Sequence, residues 1–301
     1  MAAGLALLAA LAFALGTTLQ QRGTLQTEAP EGDPRFLAEI IRKPIWLCGG
    51  LLQACGWVLQ AAALDRGTLL VVQSLCALSL VFALPLGVRL TGQHVSGRSI
   101  AGAVATVAGV VLFIAVGQPA GGTSRPPASA WWISGVVMGV AMVFLARVAR
   151  RRRGGVAAAV FATAAGLGFA FQAAVTKVFV TELRNGVAGL LASWTTYVLI
   201  LSALAGFVLQ QSALKTGFLA PAMAASNATT LVASVVLGVV IFEESLEGAG
   251  GRLVVAILGL VLAAVGVVLL AVPTRSRSSS AEPAASTIQV PDRGENKPDD
   301  A

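Results

Sequence analysis

Three groups of polar side chains recur at helical spacing inside otherwise apolar stretches of this 301-residue chain. Gln53, Trp57 and Gln60 stand at i, i+4 and i+7. Phe169, Gln172 and Thr176 follow i, i+3 and i+7, and Met223, Asn227, Thr230 and Ser234 follow i, i+4, i+7 and i+11. Residues so spaced share one face of a helix. Amides, hydroxyls and rings together can hold a small polar or amphipathic solute by neutral hydrogen bonds and stacking. An unsatisfied amide in hydrocarbon costs several kcal/mol, so these faces turn to another helix or to a water-filled cavity. The plainer alternative is interhelical bonding, worth about 0.6 kcal/mol per pair. Asn227 lies about nine residues, ~14 Å, into its apolar run, near a bilayer midplane. The candidate solute-binding set is Gln53, Trp57, Gln60, Gln172, Thr176, Lys177, Ser226, Asn227 and Thr230.

Charged residues delimit the chemistry further. Lys177 is the one basic residue well inside an apolar run; it either snorkels to the interface or offers a positive charge to an anionic or carbonyl-bearing solute. None of the fourteen Asp and Glu residues falls in the middle of an apolar run. That disfavours a carboxylate proton relay, and also a midplane site for a hard divalent ion, which prefers carboxylate oxygens. Glu243, Glu244 and Glu247 cluster after one run, where capping of the next helix is the expected role. Cys48, Cys55 and Cys76 lack the further Cys or His partners of a metal site, and His94 is the only histidine. No metal, no cofactor and no enzymatic acid–base pair is expected.

Such residues must be positioned by membrane helices. The chain is 56% hydrophobic and 12% charged, against roughly 25% charged in a soluble domain. Nine apolar runs, at about 2–20, 44–64, 68–88, 99–117, 131–147, 156–180, 188–212, 218–242 and 253–272, are each long enough to cross ~30 Å of hydrocarbon as a helix. The net charge of +7 does not indicate nucleic acid. One alternate set of loops holds 16 of the 21 Lys and Arg residues, Arg150 to Arg153 among them; Arg66, Arg125, Lys177, Arg184 and Arg252 fall on the other side. The positive-inside rule then puts the N-terminus outside, the C-terminus in the cytoplasm and the protein in the cell membrane. No Lys or Arg precedes the first run, so it is read as a retained span, not a cleaved signal. Phe36, Ile40 and Ile41 among charges suggest a short surface helix before Pro44.

The second half of the chain repeats the first. Val58-Leu59-Gln60 and Leu64-x-x-Gly67 recur as Val208-Leu209-Gln210 and Leu214-x-x-Gly217; Leu11-x-Phe13-Ala14 matches Leu167-x-Phe169-Ala170. Gly102, Gly109 and Val110-Val111-Leu112 recur as Gly259, Gly266 and Val267-Val268-Leu269. An odd number of spans separates the copies, so they cross the bilayer in opposite directions, as in secondary transporters. The predicted architecture is an all-α polytopic membrane protein of nine transmembrane helices: a first repeat over 1–117, a linker span and basic loop over 118–154, an inverted second repeat over 155–272, and a disordered tail over 273–301.

The pattern resembles the drug/metabolite transporter superfamily, whose signature is a Gly-Glu-like turn followed by a Gly-x6-Gly helix. Here it reads Ile241-Phe242-Glu243-Glu244-Ser245-Leu246 before Gly259 and Gly266, and Leu90-Thr91-Gly92-Gln93-His94-Val95 before Gly102 and Gly109. Nine spans, Arg42-Lys43-Pro44-Ile45-Trp46 and Ala77-Leu78-Ser79 are most similar to the NIPA-type magnesium-transporter-like branch. That resemblance implies solute carriage by alternating access, or Mg²⁺ transport as the alternative. The branch carries Gly-Glu-x-x-Asn in its second span, whereas Gly56-Trp57-Val58-Leu59-Gln60 has Trp57 in place of the acid. A non-transporting scaffold is the third reading. The partners expected are a small molecule or ion, the lipid bilayer and, compatibly, further copies of the chain; nucleic acid is not among them.

Overall fold

The computed structural model describes residues 1–26, 42–91, 95–123, 126–184, 186, 193–214, 216, 219–246 and 250–271. The surface helix near 36–43, His94, Glu247 and the tail over 273–301 lie wholly or mostly outside those residues. The helices are α1 (Ala2–Leu25), α2 (Pro44–Leu64), α3 (Leu69–Cys76), α4 (Ser79–Thr91), α5 (Gly97–Gly117), α6 (Ala128–Arg150), α7 (Gly154–Leu183), α8 (Trp194–Leu214), α9 (Leu219–Phe242) and α10 (Gly251–Ala271). Helices α3 and α4 make one crossing, so the described residues contain nine segments long and apolar enough to span a bilayer. The protein is an all-helical, multi-pass membrane protein. Large apolar side chains stand bare along α6 and α8, among them Ile133, Val140, Phe144, Ile200, Leu204 and Phe207. Water would reject such faces, and lipid accepts them.

Local chemistry sets the helix boundaries. Pro44 opens α2, where a missing N–H costs nothing. Thr68 caps α3 by accepting the Val71 N–H at 3.2 Å, and Ser96 caps α5 by accepting the Ser99 N–H at 3.2 Å. The third crossing is broken at Ala77-Leu78, beyond which Pro85 further interrupts α4. Two short strands were not anticipated. β1 (Pro119–Gly121) and β2 (Glu244–Leu246) pair antiparallel, Ala120 opposite Ser245, where a Gly/Pro-rich loop was expected.

Helix directions alternate. The end carrying the α2–α3 turn is called upper here. Ala2 packs against Gly67 there, so α1 starts at the upper end; Arg184 reaches Asp65, so α7 finishes there. Helices α1 and α7 therefore run in opposite directions. A phenylalanine ring covers a glycine in each half of the chain: Phe13 over Gly56 and Phe169 over Gly206, with a Cβ at either glycine falling 2.6 or 2.9 Å from the ring.

The tightest crossing joins α5 to α10. A Cβ at Gly109 would sit 2.5 Å from the Gly259 carbonyl oxygen and one at Gly266 2.7 Å from the Gly102 oxygen. The contact is reciprocal: Gly102 meets Gly266 and Gly109 meets Gly259, backbone on backbone. Only residues without a side chain permit this approach. Replacement of Gly109 or Gly266 by Leu is expected to cost about 3 kcal/mol, whereas Gly4→Ala, with nothing within 4 Å of the new methyl, is expected to be neutral. Thermal unfolding of the detergent-solubilised variants measures both.

Candidate functional site

The α9 helix ends at Phe242, and Glu243 turns the chain through a left-handed conformation with φ 55°. That reversal sends the next side chain, Glu244, into the protein, where it is 1% exposed. Gly238 admits it: a Cβ there would lie 2.8 Å from the carboxylate Oε2. The Glu244 carboxylate accepts the Leu69 N–H at 2.6 Å on Oε1 and the Leu70 N–H at 3.0 Å on Oε2. These are first-turn donors of α3, unpaired within the helix and at the positive end of its dipole. Lys177 of α7 completes the shell, donating from Nζ to Oε1 in an ion pair while standing 4.6 Å from the Phe242 ring centroid. A buried carboxylate is tolerated when charge and hydrogen bonds both compensate its lost hydration, and here they do.

Above this pair lies an open cleft of about 290 Å³, lined by Asp65, Arg66, Thr68, Lys177, Thr181 and Phe242 among others. Asp65 is nearly buried and ion-paired to Arg184, with the Arg66 guanidinium at 3.8 Å. Glu182 accepts the Ser193 hydroxyl at 2.6 Å and also the Thr195 hydroxyl, tying α7 to the start of α8. Trp131 wedges edge-on between Phe171, Trp194 and Phe242, with ring centroids at 6.1, 5.3 and 5.9 Å. The upper end is therefore polar, charged and densely cross-linked.

Deeper in the bundle the sequence-predicted residues fall into two groups. Gln53 donates its amide to the Thr17 hydroxyl at 2.9 Å, joining α2 to α1. Gln60 is half-buried on the same helix, and Trp57 is 53% exposed on the bundle's outer surface. In the second group, Ser226 is buried, and Thr230 donates to the Ser226 carbonyl at 2.8 Å and to the Gly166 carbonyl of α7 at 3.3 Å. Asn227 donates to the Met223 carbonyl at 2.8 Å, and Thr176 to the Gln172 carbonyl at 2.8 Å. Thr176, Asn227 and Thr230 thus each satisfy a donor on a carbonyl of their own helix. Lys177 does not snorkel away from the protein, because Glu244 holds it. Glu244 in turn caps α3, far back in the chain, instead of the following helix.

Among the described residues, three buried side-chain atoms lack a hydrogen-bond partner: Gln73 Nε2 in α3, Gln210 Oε1 in α8 and Ser234 Oγ in α9. Gln73 stands just before the break in the third crossing. Sequence reasoning passed over it, although an amide within Val71-Val72-Gln73-Ser74 is a visible anomaly in an apolar run. Ser234 was legible in the α9 stripe. Glu244 was not, because its inward turn depends on a single left-handed residue.

No family model matches the chain, and no solved structure does so significantly. It is 31% identical over 249 residues to an uncharacterized protein of Corynebacterium glutamicum, an alignment covering 80% of this chain and 84% of that protein. The chain belongs to that protein's family. The alignment is long enough to take in most of the membrane-spanning segments of this member.

Loss of one partner from the buried pair leaves the other charge stranded. Lys177→Ala is expected to destabilise the family member described here by about 3–5 kcal/mol. Lys177→Met combined with Glu244→Gln, which keeps an acceptor for the α3 N–H groups, is expected to recover most of that loss. Paired unfolding curves of the single and double variants give the coupling directly.

Proposed function

We propose that this protein is a secondary transporter of the drug/metabolite type, moving a small polar or amphipathic solute by alternating access between two inverted four-helix bundles. The bundles are α1–α5 and α7–α10, joined by α6. The reciprocal glycine crossing of α5 on α10 carries this reading: the Gly102–Gly266 and Gly109–Gly259 contacts interchange when the copies are exchanged, as a two-fold axis in the membrane plane would require. The opposite directions of α1 and α7, and the matched Phe13–Gly56 and Phe169–Gly206 contacts, support it further. The lower end collects Arg22, Arg42, Lys43, Arg89, Arg98, Arg147 and Arg150 to Arg153, consistent with a cytoplasmic face there.

The solute would sit between the broken third crossing and α7–α9. Discontinuous helices expose backbone groups to a cargo at mid-depth, and Gln73 of α3 and Ser234 of α9 carry buried polar atoms without a partner. Gln53, Gln172, Ser226, Asn227 and Thr230 supply the remaining polar wall. The Lys177–Glu244 pair and the β1–β2 clip close the upper end in this state.

Uptake into liposomes containing the purified protein tests the reading, with organic cations, amino acids, sugars, carboxylates and Mg²⁺ as the panel. One solute is expected to enter saturably, its flux cut at least tenfold by Gln73→Leu and by Asn227→Ala and unaltered by Ser212→Ala. Saturable Mg²⁺ uptake in place of solute uptake would support the divalent-cation alternative. Zero flux across the whole panel would point to a scaffold.

A further inference from the structure

Gln73 and Ser234 belong to different halves of the chain, yet the packing of α3 on α9 brings them to one level. The two helices run antiparallel, α3 starting at the upper end and α9 finishing there beside Glu244. Leu70 fits against Gly238, where a Cβ would fall 2.1 Å from the leucine Cδ1. Three residues on in α3 and four back in α9, one turn lower on both helices, stand Gln73 and Ser234. In an antiparallel pair those two steps rotate both side chains to the same flank of the contact. The other flank holds Val235, in one cluster with Phe113 of α5 and Ala256 of α10. Thr230, a turn below Ser234, donates to the Gly166 carbonyl of α7. The Cys76 thiol, a turn below Gln73, reaches the Ala6 carbonyl of α1 at 4.0 Å. Gln73 and Ser234 therefore look toward the line where α1, α3, α7 and α9 converge.

Both residues are deeply buried, 5% and 0% exposed, and the Gln73 Nε2 and Ser234 Oγ atoms have no partner. Bonding between helices would consume such groups, as Thr17 consumes the Gln53 amide. A buried donor left unmatched is instead a cost that packing alone gives no reason to keep. The surroundings decide what would match it. Helices α1, α3 and α9 carry no Asp or Glu, and α7 has only Glu182 in its last turn, engaged by Ser193 and Thr195. Lys177 and Glu244, nearer the upper end, are spent on each other. The adjoining core is apolar, with Ala9, Val72, Ala170 and Leu237 in it. A cation finds no counter-charge there, and an anion finds the lysine taken. An uncharged oxygen acceptor finds an amide N–H and a hydroxyl. We propose that Gln73 and Ser234 form a specificity subsite that grips the carbonyl oxygen of an uncharged, otherwise largely apolar solute. The proposal rests on the carrier reading for passage across the membrane, and it narrows the cargo from polar or amphipathic to neutral and carbonyl-bearing.

Two measurements on the full-length purified protein test this. The first is thermal unfolding without ligand. Gln73→Met and Ser234→Ala each remove an unmatched buried group, so each is expected to raise the melting temperature, by about 2–4 °C. A level or lower melting temperature in either variant, as a structural or water-bridged pair gives, overturns the proposal. The second is calorimetric titration with benzamide and N-acetylleucinamide as neutral carbonyl probes and benzylammonium as the cationic counterpart. At least one neutral probe is expected to bind, about tenfold or more weakly in each variant than in the unaltered protein, while benzylammonium does not bind. Failure of both neutral probes, binding that either substitution leaves intact, or benzylammonium binding as tight as that of benzamide overturns it as well. The carrier reading is separated by flux of N-acetylleucinamide and the solute panel into liposomes. Selective binding without any flux would remove the carrier reading and keep the subsite. Saturable flux that Gln73→Met leaves unaltered would do the reverse.

Discussion

A carboxylate withdrawn from water has to be surrounded by positive charge and donors, and the upper end of this protein is organised around that requirement. Glu244 draws on three elements distant in sequence: the first turn of α3, the ammonium of Lys177 in α7 and the tight turn after α9. Each is constrained in return. The N-terminus of α3 is fixed where the second hairpin turns, Lys177 is held off the bilayer interface, and Gly238 must remain free of a side chain. Asp65 with Arg184 and Trp131 with its aromatic neighbours add local strength, but they stand on a frame that the buried pair defines.

The middle of the bundle obeys a different rule. Hydrocarbon gives helices no hydrophobic reason to associate, so close backbone contact takes over. Glycine supplies it at the α5–α10 crossing, at Gly16 against Gly49 and at Gly166 against the Ser226 carbonyl. Polar side chains there bond mostly to their own helix. Gln53 is different, reaching the Thr17 hydroxyl of α1.

Much of this could be read from residue order. The nine crossings follow from apolar run length, and the described segments agree with the predicted ones to within a few residues at most ends; α8 begins at Trp194, several residues later than the run suggested. The paired glycines were legible as packing devices because a seven-residue spacing keeps one face clear. Their partners were not, since sequence spacing says nothing about which helix lies opposite. The strand clip was hidden because three-residue strands in a Gly/Pro-rich loop carry no alternation to detect. Of the two tryptophans opening α6, both looked interfacial, yet Trp131 is buried and Trp132 faces outward, a division that only the neighbouring helices decide. The acid at the heart of the upper end sat in plain view among Glu243, Glu244 and Glu247. Three carboxylates at a helix end ordinarily mean solvent, and it took one residue's backbone conformation to send the middle one inward.

The β1–β2 clip has a mechanical corollary. It fastens the upper tip of α5 to the segment leading into α10, while the glycine crossing locks the same two helices midway down. Two rods joined at two points act as a pivot between the halves of the chain that carry them. Movement about that pivot would be smallest at α5 and α10 and largest among the helices far from them, such as the crossing interrupted at Ala77-Leu78.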